Sequence, residues 1–230
     1  MIYLDVHMKI DIAVVDYGMG NLRSVSKALE HVAPNKIVLV TSCPEEVMKA
    51  ERVVFPGQGA MPDCIREMDA RGLCEAVIFA AKNKPFLGIC IGLQMLFEHS
   101  EEGDVAGLAL FAGNVKKFAQ SDMHVYNAAT QQNEKLKVPH MGWNEVYQST
   151  ENATQPHALW QKISNGERFY YVHSYYVKPS EPKVIAGYSE YPKRFTSAIA
   201  QDNLFAVQFH PEKSAHAGLQ LLSNFVAWKP

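Results

Sequence analysis

Phe86-Leu87-Gly88-Ile89-Cys90-Ile91-Gly92-Leu93-Gln94, residues 86–94, is an apolar run that passes through Gly-x-Cys-x-Gly and stays apolar beyond it. Its first half predicts a buried strand over 85–89, and its second half an apolar helix. Glycines on both sides of Cys90 permit the sharp, strained turn that lifts a nucleophile above a sheet edge, the elbow pattern with Cys in the place of Ser. A helix start there would also favour the thiolate, through the helix dipole and unpaired backbone N–H groups. A buried Cys taken alone is more often a small core residue, and that is the reading for Cys43, Cys64 and Cys74, which lack the glycines.

The flanking sequence repeats the strand-then-turn pattern. Lys9 to Asp16 is short and β-branched and ends before Gly18 and Gly20; further strands are predicted at Ile37 to Val40 and Val53 to Phe55. Helical patterns fall between them, from Leu22 to about His31, Glu45 to Ala50 and Gly72 to Asn83. This alternation predicts an α/β fold with a mostly parallel central sheet flanked by helices. After about Lys116 the segments shorten and are broken by Gly and Pro. Stretches 167–178, 184–188, 197–201 and 206–209 read as added antiparallel strands of the C-terminal half, and Ala215 to Trp228 as a closing helix. No repeat or Gly/Ser/Pro-rich linker divides the chain, so residues 1–230 are expected to form a single domain, with 119–137 a polar surface excursion.

Composition narrows the partners. A chain of 230 residues with 47% hydrophobic residues can bury a real core. Its net charge of −2, with Lys and Arg scattered, leaves no basic stripe for nucleic acid. The stretch 85–97 is 13 residues without Asp, Glu, Lys or Arg, and even the longest such stretch, 214–228, is 15, too short for a bilayer. Met1 to Lys9 lacks the basic start and cleavage site of a signal peptide, so a cytoplasmic location is expected. The four cysteines then read as free thiols, and the Asn152-Ala153-Thr154 sequon carries no meaning.

A thiol nucleophile needs a base, and the base an orienting carboxylate. Val207-Gln208-Phe209-His210-Pro211-Glu212 offers both. If strand alternation holds, Gln208, His210 and Glu212 share one face, and Pro211 keeps His210 extended. Residues two apart on a strand are about 6.5–7 Å apart, a span that a Glu carboxylate can close. The spacing fits a Cys90-His210-Glu212 relay. Val53-Val54-Phe55-Pro56-Gly57-Gln58-Gly59 is another strand entering a glycine turn, whose N–H groups could hold an oxyanion at the same carboxyl edge of the sheet.

Together, residues 88–94, His210-Pro211-Glu212-Lys213 and Pro56-Gly57-Gln58-Gly59 resemble the class I (triad) glutamine amidotransferases, a flavodoxin-like fold family. More narrowly, Asp16-Tyr17-Gly18-Met19-Gly20-Asn21-Leu22, Pro139-His140-Met141-Gly142-Trp143-Asn144 and Tyr171-Val172-His173-Ser174-Tyr175-Tyr176 are similar to the glutaminase subunits of imidazole glycerol phosphate synthase, a histidine-biosynthesis enzyme. The resemblance implies glutamine hydrolysis through a glutamyl thioester on Cys90, with His210 protonating the departing ammonia and Glu212 orienting His210. It implies an oxyanion hole from the backbone N–H groups of Ile91 and, after its loop rearranges, Gln58. Gly57, Gln94, His173, Ser174 and Tyr175 would bind glutamine. Asn21, Trp143, Tyr170 and Lys213 would lie near the partner. That partner is a separate (β/α)₈ cyclase subunit in a heterodimer, which uses the ammonia to make imidazole glycerol phosphate and aminoimidazole carboxamide ribotide. No cofactor and no metal are implied. Gln58 and Met61 stand where familiar members tend to have Val and Phe, residues 1–8 precede the usual start, and 119–137 is longer than typical.

Three rival readings compete. Gly18-Met19-Gly20-Asn21-Leu22-Arg23 has two glycines of a dinucleotide loop but Arg23 in place of the third, and no acid at the ribose-binding spacing. A Cys-His-Glu site on another amide or peptide substrate is compatible with the elbow. A metal hydrolase is not supported, since no His-Glu-x-x-His occurs and the cysteines lack zinc spacing.

Overall fold

The computed structural model describes residues 9–127, 131–150 and 155–230; residues 1–8, the centre of the 119–137 excursion and the 152–154 sequon lie outside them. The first half runs β1 (Ile12–Val15), α1 (Leu22–Val32), β2 (Val38–Thr41), α2 (Pro44–Lys49), β3 (Arg52–Phe55), α3 (Met61–Ala70), α4 (Leu73–Asn83), β4 (Phe86–Ile89) and α5 (Ile91–Gln94). Next come β5 (Phe97–Ser100), β6 (Val105–Ala106), β7 (Phe111–Lys117), β8 (His124–Asn127), β9 (Gln132–Lys135) and β10 (His140–Gln148). The chain ends through β11 (Glu167–His173), β12 (Tyr175–Pro179), β13 (Ile185–Glu190), β14 (Arg194–Gln201), β15 (Leu204–Val207) and α6 (Ala215–Ala227).

Five strands, in the order β2-β1-β3-β4-β15, pair in parallel and form the expected core sheet. β1, β3, β4 and β15 are apolar almost throughout and their apolar residues are nearly all fully buried, as strands covered on both faces must be. Strand order reverses around β1, and right-handed crossovers then send α1 to one face and α2, α3 and α4 to the other. β14, β12 and β7 continue the sheet antiparallel from β15, and β10, β11 and β13 form an antiparallel annex.

Local chemistry explains the helix starts. The Asn21 side chain accepts from Ser24 N–H at 3.4 Å and caps α1, whose buried face is Val25, Ser26, Ala28 and Leu29. α2 begins on Pro44, and Gly72 takes the left-handed φ of 65° that enters α4.

The stretch 167–178 is two strands broken at Ser174, β11 pairing with β10 and β12 with β7 and β14. The helix after Cys90 is a single turn, because the chain re-enters the sheet at Phe97, so a full helix dipole does not act on the sulfur. β7 and β10 were not predicted; their apolar residues alternate with polar ones on half-covered antiparallel faces. The 119–137 excursion holds an exposed two-stranded hairpin of β8 and β9. Among the described residues no helix is long and apolar enough to cross a membrane.

Candidate active site

Parallel pairing of β4 with β15 aligns Ile89 with Val207, so Cys90 and the 208–213 segment leave the same carboxyl edge side by side. Cys90 N–H donates to the Val207 carbonyl at 2.8 Å and ties the two exits together. Cys90 has φ 56° and ψ −110°, a conformation that a non-glycine residue holds only when its surroundings enforce it. The enforcement is steric. A methyl on Gly92 would overlap the Phe55 carbonyl oxygen, and one on Gly88 would press on Ala206 Cβ at 2.9 Å. The elbow therefore requires both glycines that frame it.

His210 reaches Cys90 differently from the expected strand alternation. β15 stops at Val207, and Pro211–Lys213 forms a 3₁₀ turn, so Glu212 comes back onto the imidazole across a turn. Pro211 has no N–H to continue the ladder, and it holds His210 extended at φ −103° and ψ 94°. The turn is clasped from outside. His210 N–H donates to the Tyr170 carbonyl at 2.9 Å, while the Ser214 hydroxyl donates to the His210 carbonyl at 2.6 Å and accepts from Tyr170 N–H at 2.9 Å.

Glu212 Oε1 lies 2.9 Å from His210 Nδ1, and the two side chains are 1% and 2% exposed. A carboxylate only accepts, so Nδ1 carries the hydrogen and Nε2 faces the sulfur; Nε2 is buried without a hydrogen-bond partner. Burial pulls the His210 pKa down. The charge of Cys90 close by, aided by Glu212, outweighs burial and pushes the pKa up to about 10. The imidazole is thus held in its cationic form between the sulfur and the carboxylate.

The other cysteines differ. Burial raises the Cys64 thiol to about 11, and burial with the Asp69 carboxylate raises Cys74 to about 12; Cys43 lies 3.0 Å from the Glu45 carboxylate. All four are free thiols, and only Cys90 lines the cavity described next.

A cavity of about 440 Å³ opens over Cys90. Ten of the sequence-predicted residues line it: Gln58, Cys90, Ile91, Gln94, Tyr170, His173, Ser174, Tyr175, His210 and Lys213. Four do not. Gly57 lies beneath the floor against Tyr17, whose hydroxyl donates to the Pro56 carbonyl at 3.0 Å. Glu212 sits behind His210, and Asn21 is occupied in capping α1. Trp143 lies outside on β10, 52% exposed, with its ring edge toward Tyr170 at 6.1 Å.

Ile91 is the first residue of the α5 turn, so its N–H has no intrahelical acceptor and remains available beside the sulfur. Gly59, at φ +114°, gives the 56–60 loop a backbone that side-chain residues rarely adopt. Sequence reasoning missed Glu102, Pro139 and Val172 on the cavity wall, and missed Gln208 altogether as a site residue. Gln208 is fully buried, and its Nε2 lies 3.7 Å from Cys90 Sγ. The available signal was its place two residues before His210, on the face assigned to the base.

The glutamine amidotransferase class-I family profile matches residues 13–228. The chain is 62% identical over 223 residues to the imidazole glycerol phosphate synthase subunit HisH of Thiobacillus denitrificans, covering 97% of this chain and 93% of that protein. It is 64% identical over 219 residues to the HisH subunit of Dechloromonas aromatica, covering 95% and 97%. Among solved structures, a putative GMP synthase protein of Thermoplasma acidophilum superposes with a TM-score of 0.65 over 96% of this chain and 94% of its own, at 17% identity. A glutamine amidotransferase of Thermotoga maritima gives 0.55 over 92% and 80%, at 16% identity. At such identities these structures speak to the fold alone. By family profile and near-full-length identity, the chain belongs to the class-I glutamine amidotransferases and, within them, to the HisH subunits of imidazole glycerol phosphate synthase.

Proposed function

We propose that this protein hydrolyses glutamine to glutamate and ammonia through a Cys90-His210-Glu212 triad, and delivers the ammonia to a (β/α)₈ cyclase partner that makes imidazole glycerol phosphate and aminoimidazole carboxamide ribotide. The observation that carries this reading is the buried His210, raised to about 10 between the Cys90 sulfur and the Glu212 carboxylate at the wall of the cavity. The Cys90 thiolate attacks the side-chain amide carbon, forming the C–S bond. His210 gives its Nε2 proton to the amide nitrogen as the C–N bond breaks, which releases ammonia and leaves the glutamyl thioester. Water then gives a proton to His210 Nε2 and attacks the thioester, and glutamate leaves as the sulfur regains its charge.

The tetrahedral oxyanion lies against Ile91 N–H, with Gln58 N–H added once its loop turns. Gln94 has a buried Oε1 with no hydrogen-bond partner, an acceptor kept for a ligand N–H in the cavity it lines. Ser174 and the neighbouring backbone of His173 and Tyr175 form the wall that would receive the amino-acid end of glutamine. Trp143 and Met141, 52% and 62% exposed, with Trp143 beside the cavity-lining Tyr170, would form the apolar face offered to the partner, together with Lys213 at the cavity and Asn21 at the start of α1.

The test is a glutaminase assay on the isolated protein, with the cyclase, and with the cyclase plus its ligand. Glutamate release that rises with both additions supports a gated heterodimer. Faster hydrolysis of peptides or unrelated amides than of glutamine would overturn the substrate assignment.

A further inference from the structure

A polar network separate from the triad, buried at its inner end, also reaches the Cys90 sulfur, and its donors and acceptors follow without assuming any amide orientation. Asn144 Oδ1 accepts from Glu145 N–H at 2.8 Å, so its Nδ2 is the atom that faces the Glu190 carbonyl at 2.9 Å and His140 Nε2 at 3.3 Å. His140 therefore carries its hydrogen on Nδ1 and donates to His173 Nε2 at 2.9 Å, and His173 Nδ1 donates to the Tyr175 carbonyl at 2.8 Å. A carbonyl oxygen only accepts, so the Gln94 atom 3.1 Å from it is the amide nitrogen. That nitrogen lies 3.0 Å from Gln208, whose facing atom must then be Oε1. Gln208 is left to present only its NH₂ to Cys90 Sγ, at 3.7 Å.

We infer that Gln208 is a positioning residue that donates its side-chain N–H to the Cys90 sulfur and so favours the attacking thiolate. A hydrogen bond to an anion is stronger than one to a neutral thiol, so the donor stabilises the charged form selectively. Its surroundings hold the amide in place. Gln208 is fully buried, and its backbone N–H is bound to the Ser197 carbonyl at 2.9 Å. The Tyr175 carbonyl accepts from both His173 and Gln94, so it fixes the Gln94 and Gln208 amides whatever the histidines carry. Burial keeps His140, at about 4, and His173, at about 3, neutral at neutral pH.

This inference rests on the reading of Cys90 as the nucleophile, and the experiment separates the two. Iodoacetamide alkylation of Cys90 is followed by peptide mass spectrometry in the full-length wild type and in Gln208→Met, which keeps the length of the side chain and removes the donor. Glutaminase activity and the His210 imidazole titration by NMR are read on the same samples. We expect alkylation at neutral pH to slow roughly 10- to 100-fold in Gln208→Met, the range for a hydrogen bond to a charged group. The His210 midpoint should fall, because a less stabilised sulfur anion holds the imidazolium less well; a merely structural residue would not move it. Gln208→Glu, which keeps the acceptor for Gln94 but turns an oxygen toward the sulfur, should slow alkylation further. Wild-type alkylation rates and an unmoved His210 midpoint in Gln208→Met overturn the inference. Wild type that keeps its glutaminase activity after Cys90 is alkylated overturns the nucleophile reading itself.

Discussion

His210 Nδ1 lies 2.9 Å from Glu212 Oε1 with both side chains closed to solvent, and the contact spans the 3₁₀ turn that follows Pro211. The pairing fixes which ring nitrogen faces Cys90. His210→Asn should lower glutamine-dependent activity by roughly 100- to 10 000-fold, the contribution of a positioned acid-base group. Glu212→Gln keeps the shape and an acceptor oxygen but loses the charge, so its loss should be smaller, about tenfold or more. Steady-state glutaminase kinetics on both variants check the order; a His210→Asn variant as active as wild type refutes the assigned base.

The raised His210 pKa makes a second prediction with a definite sign. Because the folded value, about 10, lies above the ordinary 6.5, the stabilisation is fully present below pH 6.5 and is lost as pH rises through about 10. Urea-denaturation midpoints of wild type should exceed those of His210→Asn near pH 6, and that margin should shrink toward pH 10. In Cys90→Ala the largest raising influence is gone, so the His210 NMR midpoint should fall well below its wild-type value. A midpoint unmoved by Cys90→Ala would show that the sulfur and the imidazole are uncoupled.

The elbow glycines make a contrasting pair with Gly72. A methyl at Gly92 meets the Phe55 backbone carbonyl, which cannot step aside, whereas Gly72 has nothing within 4 Å of such a methyl. Gly92→Ala should lose about 1–3 kcal/mol and disturb the Cys90 turn. Gly72→Ala should cost only the left-handed backbone preference, about 1–2 kcal/mol, with activity intact. Chemical denaturation and activity measured together on each variant distinguish the cases. A fully active Gly92→Ala would mean that the elbow tolerates expansion.

The parallel half of the fold and the positions of Cys90 and His210 were legible in the sequence because each depends on local pattern. Apolar runs ending in glycine mark β1, β3 and β4, and His-Pro marks an extended residue at a strand end. Three features were not legible, each for a non-local reason. The α5 helix ends after one turn because Phe97 is drawn into the sheet beside Phe111. β10 pairs with β11 across an intervening segment, and its half-covered face dilutes the apolar signal. Gln208 has its partners in Gln94 and Cys90, more than a hundred residues away in the chain, so its part in the site emerges only once β4 and β15 lie side by side.

Trp143 presents a large aromatic surface to solvent on β10 beside the cavity wall. A buried aromatic anchor at an interface is commonly worth about 2 kcal/mol or more, so Trp143→Ala should weaken association with the partner subunit by at least about tenfold. Isothermal titration calorimetry checks this, with the thermal stability of the isolated protein expected to stay close to wild type. Unchanged affinity would place the partner on another face.

In the proposed reaction one sulfur, that of Cys90, carries the glutamyl group. Rapid acid quenching of the complex during turnover of isotopically labelled glutamine, followed by peptide mass spectrometry, reads this directly. A labelled glutamyl thioester is expected on the Cys90 peptide and absent from Cys90→Ser, while that variant still makes product with its partner when supplied with ammonium salt. Turnover without a label on Cys90, or a label on Cys43, Cys64 or Cys74, would contradict it.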